Sequence, residues 1–328
     1  MTPEYYSDEF RKFNTYLRDY TGNKLYRIGS GASDYDYDWT KVLMDKIGNR
    51  MQGVSLHYYT CSGWDGPKGS ATNFDNDQYY WALGKCLEIE DVIKKHKAIM
   101  DEKDPEGKVG LLVDEWGTWW DEEPGTISGH LYQQNALRDA FVASLSLNVF
   151  HKYTDRVKMA NIAQIVNVLQ SMILTDQEGT GHMVLTPTYH VFEMYTPFQE
   201  ATYLPVDLPT ETIQVSKAYF KEKEGAKDAG YRPCPMLSAS AAMTQDGSMV
   251  LAITNVSLDK DQTIDFNIEG YQAKSVSGRI LTSKNVADYN DFSHPDVVAP
   301  KDYKDAKLKK DVLTVKVPAK SIVVLNIK

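Results

Sequence analysis

Between residues 109 and 114 the chain reads VGLLVD, an apolar run with no polar interruption before Asp114. A strand with one wet face would alternate, so a run apolar on both sides must be covered on both, as in a parallel sheet between helical layers. The same texture recurs upstream. Strand candidates at 25–29 and 53–58 are each followed by helical spacing, first through Trp39, Val42, Leu43 and Ile47, then over 79–100. After 109–114 comes a helix through Leu131, Leu137, Phe141, Leu145 and Val149. The segment 157–173 has helical spacing, but its start reads equally as a fourth short strand, with a helix near 188–195 completing that unit. Strand-helix alternation predicts a parallel sheet with helices outside it, either doubly wound or a (β/α)8 barrel. No GxGxxG or Gly-Lys-Ser/Thr loop follows any strand, which disfavours nucleotide binding and favours the barrel.

The chain opens on a helix signal: Thr2 to cap it, Pro3 for its first position and Glu4 to face its dipole. Its expected apolar stripe is Tyr6, Phe10, Phe13, Leu17 and Tyr20. Beyond Pro205 short β-rich runs take over, at 212–220, 237–244, 249–255, 263–268, 273–282, 312–317 and 322–327, punctuated by Asp246-Gly247 and Glu269-Gly270. They predict a β-sandwich. The charged stretches 221–228 and 300–310 read as solvated connections. The expected division is therefore a βα portion over 1–198 and a sandwich over 199–328.

Composition excludes several functions. With 36 Lys and Arg against 45 Asp and Glu, the formal charge of −9 gives no footprint for nucleic acid or an anionic membrane. Cys61, Cys86 and Cys234 are an odd, widely spaced set, expected as buried free thiols. No HExxH or short-spaced His/Cys pair predicts a metal, no cofactor motif is present, and no apolar run has the length of a membrane span. No signal-peptide pattern opens the chain, which leaves its compartment unassigned. The 21 Tyr and six Trp offer many stacking surfaces, which suits a sugar ligand without selecting one.

In barrels the chemistry sits at the C-terminal ends of the strands. The run 109–114 ends in Asp114-Glu115-Trp116-Gly117-Thr118-Trp119-Trp120. A carboxylate at a strand end among indoles suits attack on, or protonation of, a glycosidic centre; a structural ion pair with Trp as core filler is the competing reading. The run GVSLHYY ends in His57-Tyr58-Tyr59, where alternation puts His57 and Tyr59 on one side and Tyr58 on the other.

VDEWGTWW, SLHYYT, GSGASDYDYDWTKVLMDKI, MANIAQIVNVL and TPTYHVFEMY, with NDFSHPDVVAP and LTVKVPAKSIVVLNI in the β region, together resemble glycoside hydrolase family 51, the α-L-arabinofuranosidases. The resemblance spans essentially the whole chain. It implies a (β/α)8 barrel followed by a β-sandwich, and retaining release of terminal α-L-arabinofuranosyl groups from arabinan, arabinoxylan or their oligosaccharides. It further implies Glu115 as nucleophile, His57 and Tyr59 as partners of the nucleophile and sugar, Trp119 as a subsite wall and Gln164 as an arabinose contact. No metal or cofactor is implied. An arabinose-containing saccharide is the expected partner, and the longer protein is expected to be a homo-oligomer.

A retaining glycosidase needs a second carboxylate as acid/base. In the family this is the Glu of an Asn-Glu pair, and no Asn in this chain is followed by Glu. Four βα units over about 200 residues would extrapolate to about 400 for eight, at the long end for barrels. The expectation is the C-terminal half of a barrel plus a sandwich, nearly inactive alone because the general acid is missing. The alternatives are a carbohydrate-binding or assembly piece without catalysis, and a β-xylosidase-like barrel glycosidase.

Overall fold

The computed structural model describes residues 1–176, 178–216 and 231–328. The charged connection expected at 221–228, and residues 217–220 of the strand expected at 212–220, lie outside them. The chain divides into two compact units, one of Met1–Tyr59, Glu88–Trp116 and Tyr153–Ile162, the other of Thr60–Leu87, Gly117–Lys152 and Ala163–Lys328.

In the first unit, helix α1 (Pro3–Asn14) begins as its sequence dictates: Thr2 Oγ1 accepts from Tyr5 N, and Pro3 fills the first turn. The helix ends at Asn14, where Thr15 caps it and bonds back to Arg11 O. The stripe read from the sequence is therefore too long. Leu17 and Tyr20 lie beyond the helix, and Phe13, Leu17 and Tyr20 are exposed. Tyr6 does face inward, beside Phe10 and Trp39, and its hydroxyl accepts from Ser30 N.

Strand β1 (Ile28–Ser33), helix α2 (Tyr37–Ile47), strand β2 (Gly53–Thr60), helix α3 (Asn76–Lys103), strand β3 (Gly110–Thr118), helix α4 (Leu137–Lys152) and strand β4 (Val157–Ile162) follow in order. The sheet order is β1-β2-β3-β4, with β1 parallel to β2 and β3 parallel to β4. Burial explains the apolar runs: Val54, Leu56, Leu112 and Val113 are fully buried. The ambiguous segment begins as strand β4, and Leu131 lies outside α4. Strand β1 starts three residues later than the expected 25–29. Its Gly31 serves close approach: a Cβ there would stand 1.7 Å from Ser55 O, and Gly31 N donates to Ser55 Oγ.

In the second unit, Thr186 caps helix α5 (Pro187–Tyr195), after the short hairpin β5 (Ile173–Thr175) and β6 (Met183–Leu185). Strand β7 (Thr202–Leu204) opens the antiparallel region, followed by the pair β8 (Thr212–Ser216) and β9 (Tyr231–Pro235). Then come β10 (Leu237–Met243), β11 (Met249–Asn255), β12 (Gln262–Asn267), β13 (Val276–Thr282), β14 (Lys301–Tyr303), β15 (Ala306–Lys309), β16 (Val312–Val317) and β17 (Ser321–Ile327). A six-stranded sheet, β14-β13-β17-β11-β10-β7, shares one core with a three-stranded sheet, β12-β16-β15. The Asp246-Gly247 turn joins β10 to β11 as its dipeptide predicts, with Gly247 at φ 81°. The stretch 300–310 is not simply a solvated connection: it forms β14 and β15. Lys307 and Lys309 face solvent while Ala306 and Leu308 pack on the core, so charge counting hid the alternation.

At the foot of the first unit the Arg156 side chain, 3% exposed, meets Asp101, Asp104 and the carbonyls of Asp104 and Val109. Breaking a buried ion pair strands its partners, whereas a pair as exposed as Arg279–Glu193 is weak. Arg156→Met should therefore destabilise the chain by about 3 kcal/mol, and Arg279→Met by less than about 1 kcal/mol, as read by urea unfolding. Equal losses would refute the assignment.

Candidate functional site

Glu115 lies within β3 rather than after it, because the strand continues to Thr118. Between Val113 and Trp116 the pairing with β4 slips: three steps along β3 match two along β4, from Ala160 to Ile162. Such a bulge re-aims side chains that strict alternation would send to opposite faces. Here both Asp114 and Glu115 come within reach of one imidazole on the neighbouring strand β2.

Tyr59 Oη donates to Glu115 Oε1 at 2.5 Å, and His57 Nδ1 lies 2.9 Å from Glu115 Oε2. The other ring nitrogen, Nε2, lies 3.2 Å from Asp114 Oδ1. Tyr58 points the other way, its hydroxyl reaching Glu88. The alternation read from GVSLHYY thus sorts these three rings as expected. Side-chain exposures of 40% for His57, 33% for Asp114 and 35% for Glu115 leave the cluster accessible from solvent.

Burial raises the Tyr59 hydroxyl far above the ordinary phenol range, and its bond to Glu115 and that residue's charge act in the same direction. Tyr59 is therefore a proton donor throughout the working pH range. Desolvation also raises Asp114; His57 opposes this, while the Glu115 charge adds to it. Two adjacent carboxylates thus sit in unequal settings, Glu115 with a phenolic donor and Asp114 without one. Asp114 was legible as part of the DEW motif but not as a His57 neighbour, since periodicity carries no signal for a bulge.

Trp119 and Gln164 belong to the second unit. Trp119 N donates to Thr60 O, and the Trp64 ring meets Trp119 edge-on at 5.4 Å, with Lys68 Nζ 5.7 Å from the Trp119 centroid. Gln164 lies two residues past β4, exposed and outside any helix or strand. Sequence reasoning missed the buried network beneath the Trp pair. Asp139 Oδ1 accepts from Thr118 Oγ1 and Trp120 Nε1, each at 2.8 Å, and Oδ2 accepts from Ala136 N. Gln133 accepts from Trp120 N, and Gln170 accepts from Thr118 N while donating to Asp139 O. Arg138 lies between Phe74 and Trp120, and burial draws its guanidinium down to about 10. These polar residues are scattered in sequence; only the fold assembles them.

Fold and site together define an α/β chain of parallel strand-helix units, with an accessible carboxylate held by phenol and imidazole, joined to antiparallel sheets. Residues 114–321 match the family model described as the alpha-L-arabinofuranosidase C-terminal domain, and the chain belongs to that family. It is 57% identical over 327 residues to the intracellular exo-alpha-L-arabinofuranosidase of Bacteroides ovatus, covering 100% of this chain and 60% of that protein. Among solved structures it is similar to the GH51 arabinofuranosidase of Xanthomonas axonopodis pv. citri, at 42% identity and a TM-score of 0.91, covering 100% of this chain and 63% of that one. The alpha-L-arabinofuranosidase of Thermotoga maritima, solved as an arabinose complex, shares the fold at 21% identity and a TM-score of 0.77, covering 99% of this chain and 62% of that one. The chain thus spans about three fifths of the length of these relatives.

The Asp114 shift has a measurable consequence. The folded chain holds this proton more tightly than the unfolded chain, so the stability it contributes is present below the ordinary carboxylate pKa. That contribution is lost as pH rises through the raised value. Asp114→Asn should flatten this part of the stability–pH curve. Glu115→Gln should lower the Asp114 midpoint in carbon-detected NMR titration, by removing a neighbouring charge; an unmoved midpoint would show the two carboxylates to be uncoupled.

Proposed function

We propose that this chain carries the nucleophile side of a retaining α-L-arabinofuranosidase acting on terminal arabinofuranosyl groups of arabinan- or arabinoxylan-type saccharides. The observation that carries the reading is the convergence of Tyr59 and His57 on the two oxygens of Glu115. A nucleophilic carboxylate must be ionised and oriented, and a phenol that keeps its proton and donates to one oxygen supports both. The relatives' names support the substrate class, and their greater length supports a half barrel over 1–198 followed by a sandwich over 199–328.

In this reading a Glu115 oxygen attacks the anomeric carbon, the bond to the aglycone oxygen breaks, and that oxygen takes a proton from a general acid. The glycosyl ester is then hydrolysed by water, with the same acid now acting as base, so Glu115 is regenerated. Trp119 would wall the subsite and Gln164 would contact the arabinose. No Asn-Glu pair supplies the general acid here. The chain alone should be slow, because general acid–base catalysis typically contributes about 10²- to 10⁴-fold. The longer protein would act as a homo-oligomer, which light scattering would read.

The test uses an aryl α-L-arabinofuranoside. The chain alone should turn it over at least about 100-fold more slowly than the Bacteroides ovatus relative. Azide should raise the residual rate and yield a glycosyl azide, and Glu115→Gln should abolish both activities. Rapid turnover that survives Glu115→Gln would overturn the reading, and preference for an aryl β-xyloside would redirect it to a xylosidase.

A further inference from the structure

The peptide that joins His57 to Tyr58 governs where His57 and Tyr59 stand over Glu115, and its carbonyl is held from outside β2. Strand β1 ends opposite His57, where Ser33 is its last residue in register. One residue on, Asp34 N donates to His57 O at 2.9 Å. Asp34 has φ 50°, in the left-handed region that residues other than glycine keep only where their surroundings over-determine it. The turn that follows is tied locally: Asp36 N donates to Ser33 O, and Asp36 Oδ1 caps α2 by accepting from Trp39 N. The Asp34 carbonyl takes no part in those bonds and reaches α3 instead.

There it meets His96, whose side chain is fully buried. Its Nε2 lies 2.9 Å from Asp34 O, its Nδ1 lies 2.9 Å from Thr40 Oγ1 of α2, and the Tyr37 ring tilts against it at 4.7 Å. A carbonyl can only accept, so Nε2 carries the proton and Nδ1 accepts from the Thr40 hydroxyl. Burial lowers the ring's hold on a second proton, against the Asp34 carbonyl and the Asp36 charge, which act the other way. A neutral ring bonded at both nitrogens in one tautomer is a rigid strut between two helices and one backbone carbonyl. Core filling alone needs no bond to the left-handed residue of the turn. This imidazole makes one, and only two hydrogen bonds separate it from the His57 backbone.

We propose that His96 is a positioning residue for the Glu115 site: its Nε2–H fixes the Asp34 backbone, whose N–H fixes His57 O, so that the imidazole and phenol that meet Glu115 are held in place from α3. Its catalytic meaning rests on the reading of Glu115 as nucleophile; the positioning itself does not. His96 acts on the partners of the nucleophile, so its loss lowers kcat and leaves substrate binding nearly as it was. Displacing a catalytic group by about an ångström costs up to about 100-fold, and an effect passed through two hydrogen bonds is expected to be smaller, about tenfold.

The test begins with the unchanged full chain, so it holds even if a variant fails to fold. Nitrogen NMR should show His96 as the Nε2–H tautomer with a slowly exchanging proton; the Nδ1–H tautomer would overturn the proposal. His96→Leu should shift the Asp34 amide and the His57 ring signals well beyond their linewidths. His96→Gln, whose side-chain N–H can reach the same carbonyl, should restore most of both. Arg156→Met destabilises the same unit without touching Asp34 and should move neither. With an aryl α-L-arabinofuranoside and azide, His96→Leu should lower kcat about tenfold and change KM by less than about twofold. Unmoved signals or an unmoved kcat in His96→Leu, equal shifts in Arg156→Met, or no recovery in His96→Gln would each overturn it. The NMR signals need no turnover, so failure of the functional reading shows separately, as absence of an azide-rescued rate in the unchanged chain.

Discussion

The short contact between Tyr59 and Glu115 requires two neighbouring strands to deliver side chains to one point, and it constrains the first unit more than any other. It needs β2 buried on both faces up to His57, with Ser55 taken up by Gly31 N, so that the strand's register is fixed. It needs β3 to slip by one residue between Val113 and Trp116. Without the slip, Asp114 and Glu115 would face opposite layers, and His57 could not lie within 3.2 Å of one and 2.9 Å of the other. The close approach of β1 through Gly31 serves the same register, because any side chain there would strike the Ser55 carbonyl.

Buried polar groups hold what apolar packing alone cannot orient. Asp139, fully buried, is satisfied by a hydroxyl, an indole and a backbone amide, and Gln170 and Gln133 take up the backbone of the next residues. A network of this kind is costly when broken, since each stranded group has lost its water. It fixes the backbone on either side of Trp119 and leaves that ring partly open, in edge contact with Trp64. At the opposite extreme, burial pushes the Cys86 and Cys234 thiols up to about 12, with hydrogen bonds to Ser146 and Thr60 opposing it at Cys86 and the Cys86 charge adding to it at Cys234.

The two antiparallel sheets that share a core are unequal in a way that composition does not reveal. The larger has six strands and the smaller three, so the floor of a cleft beside β12 is apolar yet reachable.

Much of this was legible in the sequence. The βα alternation, the helix cap at Thr2, the hairpin at Asp246-Gly247 and the sorting of His57 and Tyr59 from Tyr58 all follow from local rules of period, capping and turn chemistry, which need no knowledge of distant residues. What was misread shares one cause. The overlong stripe of α1, the late start of β1, the strands hidden in 300–310 and the companionship of Asp114 with His57 depend on what lies across the sheet or where a neighbour ends. The sequence by itself determined which residues are apolar, where strands may end and which carboxylate stands among indoles. Only the tertiary structure decided which side chains meet, because a one-residue slip between two strands reverses a side chain's direction, and the partner strand's register sets that slip.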